Sequence, residues 1–154
     1  LDDRFEIIKD SNIDIYIIRD IDSHLNRREK NAIDEWLQTE KKFHVLRDHP
    51  SHCKYPISGG MWGGKFDKNL SDIFKNNFEK YNKNNYLLDM ILLNSCFWTY
   101  MKYDTLVHDS FQLKNYGPCI SFPTKRIGYE HVGSVIINNR ERDCDVEILK
   151  KRNN

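Results

Sequence analysis

No apolar stretch in the 154 residues approaches the roughly twenty needed to cross a bilayer, and the opening Leu1-Asp2-Asp3-Arg4 has none of the features of a signal peptide. The chain is therefore read as a soluble, cytoplasmic protein without a transmembrane segment. An excess of one charge is also missing. The 24 Lys and Arg residues face 23 Asp and Glu, for a formal net charge of +1, which removes the usual reason to expect nucleic acid or an anionic membrane as partner. Cysteine is confined to Cys53, Cys96, Cys119 and Cys144, with no CxxC pair, so neither a zinc knuckle nor a disulfide-dense secreted framework is implied and a reducing compartment fits best. No internal repeat, low-complexity segment or Walker loop is present. The length suits one domain with a real core and is too short for two comfortable ones, so 1–154 is read as a single domain.

What is there is a set of strand-like runs that end in polar clusters. Residues 13–19 are β-branched and aromatic with no Gly or Pro, as in a buried strand, and the run ends in Asp20, Asp22 and Ser23. In an extended chain Asp20 and Asp22 share a face while Ile21 turns back into the protein. Two carboxylates on one face repel unless a cation lies between them, and hard divalent cations such as Mg²⁺ or Mn²⁺ prefer oxygen ligands. A second short strand, residues 43–48, ends in Arg47-Asp48 and leads into His49-Pro50-Ser51-His52-Cys53, read as a loop because Pro50 and Pro56 bar regular structure nearby. A third, residues 103–110, ends in His108-Asp109-Ser110. Such strand ends can converge on one edge of an α/β sheet, where open sheets bind ligands.

Helical spacing marks the rest. Asn26 three residues before Glu29 reads as a capping box, followed by Ala32, Ile33, Trp36 and Leu37, with Leu25 on the same stripe, in a helix over 26–40. Ile73, Phe74, Phe78 and Tyr81 mark a second helix from residue 70, capped by Ser71 or Asn69, and 82–85 a loop. A third, more buried helix covers about 86–102 with Asp89 in its first turn. The segment Gly59-Gly60-Met61-Trp62-Gly63-Gly64 requires positive φ or close approach of backbone to something else, and Trp62 reads equally as a sugar-stacking platform and as core. Beyond Gly117 the sequence reads as loop and one short strand before a solvated charged tail.

The order Asp20-x-Asp22, then Gly59-Gly60, then Asp89-Met90-Ile91-Leu92-Leu93-Asn94, then His108 resembles glycosyltransferases of the GT-A fold, with Met90 where the family-8-like element has Gln. Closer still, Arg19-Asp20-Ile21-Asp22-Ser23, Arg28-Glu29, Asp34-Glu35-Trp36, His44-Val45-Leu46-Arg47-Asp48-His49-Pro50 and Gly59-Gly60-Met61-Trp62-Gly63 resemble a group of glycosyltransferase-like proteins of microbes, algae and large viruses. The resemblance runs from about residue 13 to 135. It implies an α/β fold with a GT-A-like, Rossmann-like mixed sheet flanked by helices, and transfer of a sugar from a UDP- or GDP-sugar to a glycan or other acceptor. It further implies Mn²⁺ or Mg²⁺ held by Asp22 and His108, with Asp20 at the metal or donor ribose. Arg47 would then touch a phosphate, Gly59, Gly60 and Trp62 would lie at the donor, and Asp89 and Asp48 would be the catalytic carboxylates. GT-A enzymes place a βαβ nucleotide-binding half before Asp-x-Asp, whereas nineteen residues precede Asp20. The base-binding part is thus abbreviated, missing, or supplied by another chain. Two other readings share the Asp-x-Asp feature: a metal-dependent phosphohydrolase or nucleotidyl-transfer enzyme, and a non-catalytic nucleotide-sugar-binding module.

Overall fold

The computed structural model describes residues 2–78 and 88–152, with the side chains of Asp2, Asp3, Leu88 and Asp89 left aside. Its centre is a mixed four-stranded sheet of β1 (Ile15–Arg19), β2 (Phe43–Arg47), β3 (Met61–Lys65) and β4 (Thr105–Asp109) in the order β1-β3-β2-β4. β3 runs antiparallel to both β1 and β2, and β4 runs parallel to β2. β1, β2 and β4 therefore point the same way, and their carboxyl ends share one edge. The protein is α/β with helices packed on the sheet. No helix among the described residues is long and apolar enough to cross a membrane.

β1 alternates, as an edge strand covered on one face does. Tyr16 and Ile18 are buried, while Ile15 and Ile17 are exposed. Central β2 is buried throughout. From Met61 on, the glycine-rich run is a strand, and its glycines answer a packing demand. A Cβ on Gly63 would stand 2.6 Å from the Tyr16 carbonyl oxygen, and one on Gly64 would stand 2.6 Å from Tyr16 Oη. None of the four glycines has positive φ; close approach was the correct half of the expectation. Trp62, between them, is 1% exposed and packs against Phe5, Tyr16 and Phe97. That burial corrects its reading as a sugar platform.

Helix α1 (Arg27–Leu37) starts where expected, with Asn26 Oδ1 accepting from the Glu29 amide at 2.9 Å. The reciprocal half of a capping box is absent because the Glu29 carboxylate turns inward to Arg19. Leu25 and Leu37, expected on the apolar face, are exposed. Helix α2 (Lys68–Phe78) begins earlier than read, since Asp67, not Asn69 or Ser71, caps it by accepting from the Leu70 amide at 2.8 Å. The Tyr81 position and the 82–85 loop lie outside the described residues. The third helix is α3 (Leu88–Leu92), a π-turn (Leu93–Phe97) and α4 (Trp98–Met101) in one run. At the π-turn Asn94 clamps the backbone of Ile57, accepting from its amide at 3.1 Å and donating to its carbonyl at 3.2 Å. Such turns recur at functional positions, and this one holds the loop that leads into Gly59.

Two further expectations are corrected. His49 caps a short 3-10 helix (Pro50–Cys53) whose first position is the proline, which has no amide to leave unpaired. The charged tail is helix α5 (Asp143–Arg152), docked through Leu149, which is 0% exposed. Before it, β5 (Ile136–Ile137) and β6 (Arg140–Glu141) form a hairpin around Asn138 and Asn139, both at positive φ as a two-residue turn requires.

Candidate functional site at the carboxyl edge of the sheet

The parallel course of β1, β2 and β4 brings all three polar strand ends to one edge, but the strand order spreads them along it. Asp20 and Asp22 follow β1 at one end, and His108 and Asp109 close β4 at the other. With β3 and β2 between them, three interstrand spacings amount to about 14 Å.

At the β1 end the chain turns rather than continuing extended. The Ser23 amide and hydroxyl both donate to the Asp20 carbonyl, at 3.1 and 2.7 Å. Ile21 is consequently fully exposed, which corrects its expected inward direction. Gly60 serves this turn: a Cβ there would meet the Asp20 carboxylate at 2.4 Å and the Asp20 amide nitrogen at 2.6 Å. The space it leaves is filled by Asp20 rather than by a ligand. Both carboxylates are exposed. Asp20 accepts from Arg4 at 3.2 Å, whereas the Asp22 side chain has no hydrogen bond or ion pair among the described residues. A cavity of about 220 Å³ opens here, lined by Asp20, Asp22, Ser51, His52, Ser58 and Arg142 among others. Gly133 closes its wall with φ +82°, and a Cβ on it would press on Met61 Sδ at 2.8 Å. Gly59 is buried and follows Ser58, which lines this cavity.

His108 does not join that pair. It is 0% exposed, with Nδ1 2.7 Å from His44 Nε2 and Nε2 2.9 Å from Glu35. His44 in turn stacks on Trp36. Both ring nitrogens are thus engaged beneath α1, and a cation shared between Asp22 and His108 finds no support in this placement. Among the described residues no three His, Cys, Asp or Glu side chains stand ready to hold a metal ion. The exposed pair Asp20 and Asp22 fits only a hard cation that completes its shell with substrate oxygens and water, which is how Mg²⁺ is commonly bound.

The middle of the edge is a charge network closed on itself. Arg47, 1% exposed, pairs with Asp109 at 3.0 Å and donates to the Pro56 carbonyl at 2.9 and 3.2 Å. It is not free to touch a phosphate. Asp48, 0% exposed, accepts from Arg28 at 2.8 and 3.0 Å, from Arg126 at 2.8 Å, from the Val132 amide at 2.9 Å and from Ser110. Burial alone would raise its carboxyl, but the hydrogen bonds and charge of Arg28, with Ser110 and Arg126, hold it below the usual carboxylate range. A carboxylate with five donors and a lowered pKa is a poor base. The catalytic reading of Asp48 is corrected to a structural one. Asp89 lies in the first turn of α3, and its side chain is outside the described residues.

Residues the sequence reading did not single out complete the edge. His131 stacks on His49 with centroids 4.6 Å apart, and His52 lies 5.8 and 6.0 Å from the two. Arg126, Arg142 and Arg152 come from the last third of the chain. The only local signal was a basic loop stiffened between Pro123 and Gly128; the rest appears only once α5 docks.

Burial holds His49, His52 and His131 below the ordinary histidine value, His52 down to about 3 with His131 and His49 adding to the effect. His44 and His108 are lowered by burial as well. In the unfolded chain these rings take up protons near pH 6.5, protons that the native state refuses. Stability from these groups is therefore fully present above about pH 6.5 and is lost as pH falls, by up to about 1.4 kcal/mol per histidine per pH unit. Glu29, whose carboxyl is raised by burial, works in the opposite direction. Urea midpoints are expected to be level from pH 8 to 7 and to fall steadily from 6.5 to 5; a level profile across that interval would refute the histidine assignment.

No family model, curated protein or solved structure matches the chain.

Proposed function

We propose that this chain is a metal-dependent glycosyltransferase domain of GT-A-like type, or the catalytic half of one, which moves a sugar from a UDP- or GDP-sugar to a glycan or other acceptor. The observation that carries the reading is the exposed Asp20 and Asp22 pair, set in a cavity at the edge where β1, β2 and β4 of the mixed sheet all end, the side on which open α/β sheets bind ligands. Asp20 and Asp22 would hold Mn²⁺ or Mg²⁺, and the chemistry such a cation supplies is stabilisation of negative charge on a leaving diphosphate. Asp22 is the better ligand of the two, having no hydrogen bond or ion pair to give up among the described residues. Arg142, beside the same cavity and paired with Asp145 at 3.0 Å, adds positive charge where donor phosphates would lie. Ser51 and Ser58 offer hydroxyls, and the Asn94 clamp on Ile57 fixes the wall that carries Ser58. Asp89 keeps its proposed place on the sugar or acceptor side. Groups outside this cavity, or another chain, would complete the nucleotide site.

Calorimetric titration of UDP- and GDP-sugars with and without Mn²⁺ tests the reading. Metal-dependent binding accompanied by sugar turnover supports it. Metal-dependent phosphate release would favour a phosphohydrolase, binding without turnover a non-catalytic module, and no binding under either condition would end the proposal.

A further inference from the structure

We infer a second ligand site on the same sheet edge, a pocket built of arginines that takes the phosphate group of a phosphorylated small molecule. It does not depend on the glycosyltransferase reading. A cavity of about 370 Å³ is lined by Arg28, Ser110, Phe111, Arg126 and Arg152 and shares no residue with the Asp20 and Asp22 cavity.

Three guanidiniums face it against one carboxylate, the buried Asp48, leaving two positive charges in excess. The donors divide in an informative way. Arg28 spends Nε and Nη2 on Asp48 and Ser110 and Nη1 on the Thr124 carbonyl, and its plane lies 4.2 Å over the Phe122 ring; it is a wall. Among the described residues Arg126 commits only Nη2, to the Asp48 carbonyl and carboxylate, and its Nε is buried without a partner. Arg152 makes no hydrogen bond among the described residues and rests 4.3 Å over the Phe111 ring. Stacking of this kind pre-orders the guanidinium at little entropic cost. Arg126 Nη1, which is neither buried nor hydrogen-bonded among the described residues, remains available to donate to a ligand. Like charges gathered this closely also call for an anion beyond Asp48.

A tetrahedral oxyanion answers that demand. Its several oxygens can accept from the Arg152 fork and from Arg126 at once. The volume lies within the range of small-molecule sites and exceeds what a phosphate alone fills, so the group bearing the phosphate has room beside Phe111.

The test is phosphate and glucose 6-phosphate titrated into the full chain at low salt, followed by calorimetry and by amide NMR shifts. The expected result is saturable binding, tighter for the sugar phosphate than for phosphate, with shifts at Ser110, Phe111 and Arg126. Arg152→Gln, at an exposed position that leaves melting unchanged, is expected to weaken binding at least tenfold, and Asp22→Ala to leave it unaltered. Absence of saturable binding, or equal affinity in Arg152→Gln, overturns the site. Loss of phosphate binding in Asp22→Ala overturns it too, by placing the oxyanion in the other cavity. Equal affinity for the two probes overturns the phosphorylated small molecule as occupant.

Discussion

Asp22→Ala is expected to weaken Mn²⁺-dependent nucleotide-sugar binding by at least about a hundredfold, equivalent to about 2.7 kcal/mol, while changing the stability of the fold by no more than about 0.5 kcal/mol. Both halves follow from one observation: the Asp22 side chain is exposed and makes no hydrogen bond or ion pair among the described residues, so little in the native structure is lost with it. Asp20→Ala removes an exposed ion pair with Arg4, worth little in water, and should weaken metal-dependent binding by a smaller factor. His108→Ala separates the geometry from the motif. The resemblance makes His108 a metal ligand, whereas the structure engages its Nδ1 with His44 and its Nε2 with Glu35. Its loss is expected to destabilise the fold and leave the metal dependence of binding in the folded protein intact. Abolished metal dependence at unchanged stability would mean that His108 reaches the cation after all and that the β4 end swings toward β1. Calorimetry on the three variants, beside their urea midpoints, decides between the two.

The contrast shows which parts of this protein a linear reading reaches. Periodicity located β1, β2, β4 and α1, because alternation and helical spacing are local consequences of burying one face. It also marked three polar strand ends, which an α/β sheet can bring to a common edge. Strand order was beyond it. Pairing β1 with β3 depends on glycines at 63 and 64 that admit Tyr16, a demand visible only when the neighbour is known. With β3 not recognised as a strand, nothing separated Asp22 from His108, and the two could be imagined on one cation. Burial was equally hidden. Arg47, Asp48 and Asp109 look like ligands in the sequence because they are charged at strand ends, yet each finds its partners inside the protein, some of them 62 to 84 residues away. The arginine pocket lay further out of reach, since Arg28, Arg126 and Arg152 meet only through Asp48 and the docking of α5.

Asp48 is where the two accounts part most sharply in their expected effect. As a catalytic carboxylate it would be dispensable to folding; as found, it is the single acceptor that holds Arg28, Arg126, Ser110 and the Val132 amide together. Removing one partner of a buried ionic network leaves uncompensated charge and costs about 3–5 kcal/mol. Asp48→Asn is expected to approach that figure despite its near-identical shape. Its amide nitrogen must take the place of Oδ1, against Arg28 Nη2 and Arg126 Nη2, or of Oδ2, against Arg28 Nε and the Val132 amide, setting donor against donor whichever way the group is turned. Asp48→Ala should fall in the same range, with the opened cavity added. Pairing Asp48→Asn with Arg126→Met gives a double-mutant cycle whose coupling should be strongly favourable, since the double variant is relieved of one guanidinium that the single variant strands. Urea denaturation at pH 7.5, above the histidine-dependent range, measures all three. An Asp48→Asn protein as stable as the parent but without sugar turnover would restore the catalytic reading, and with it a base at the centre of the sheet edge rather than a keystone.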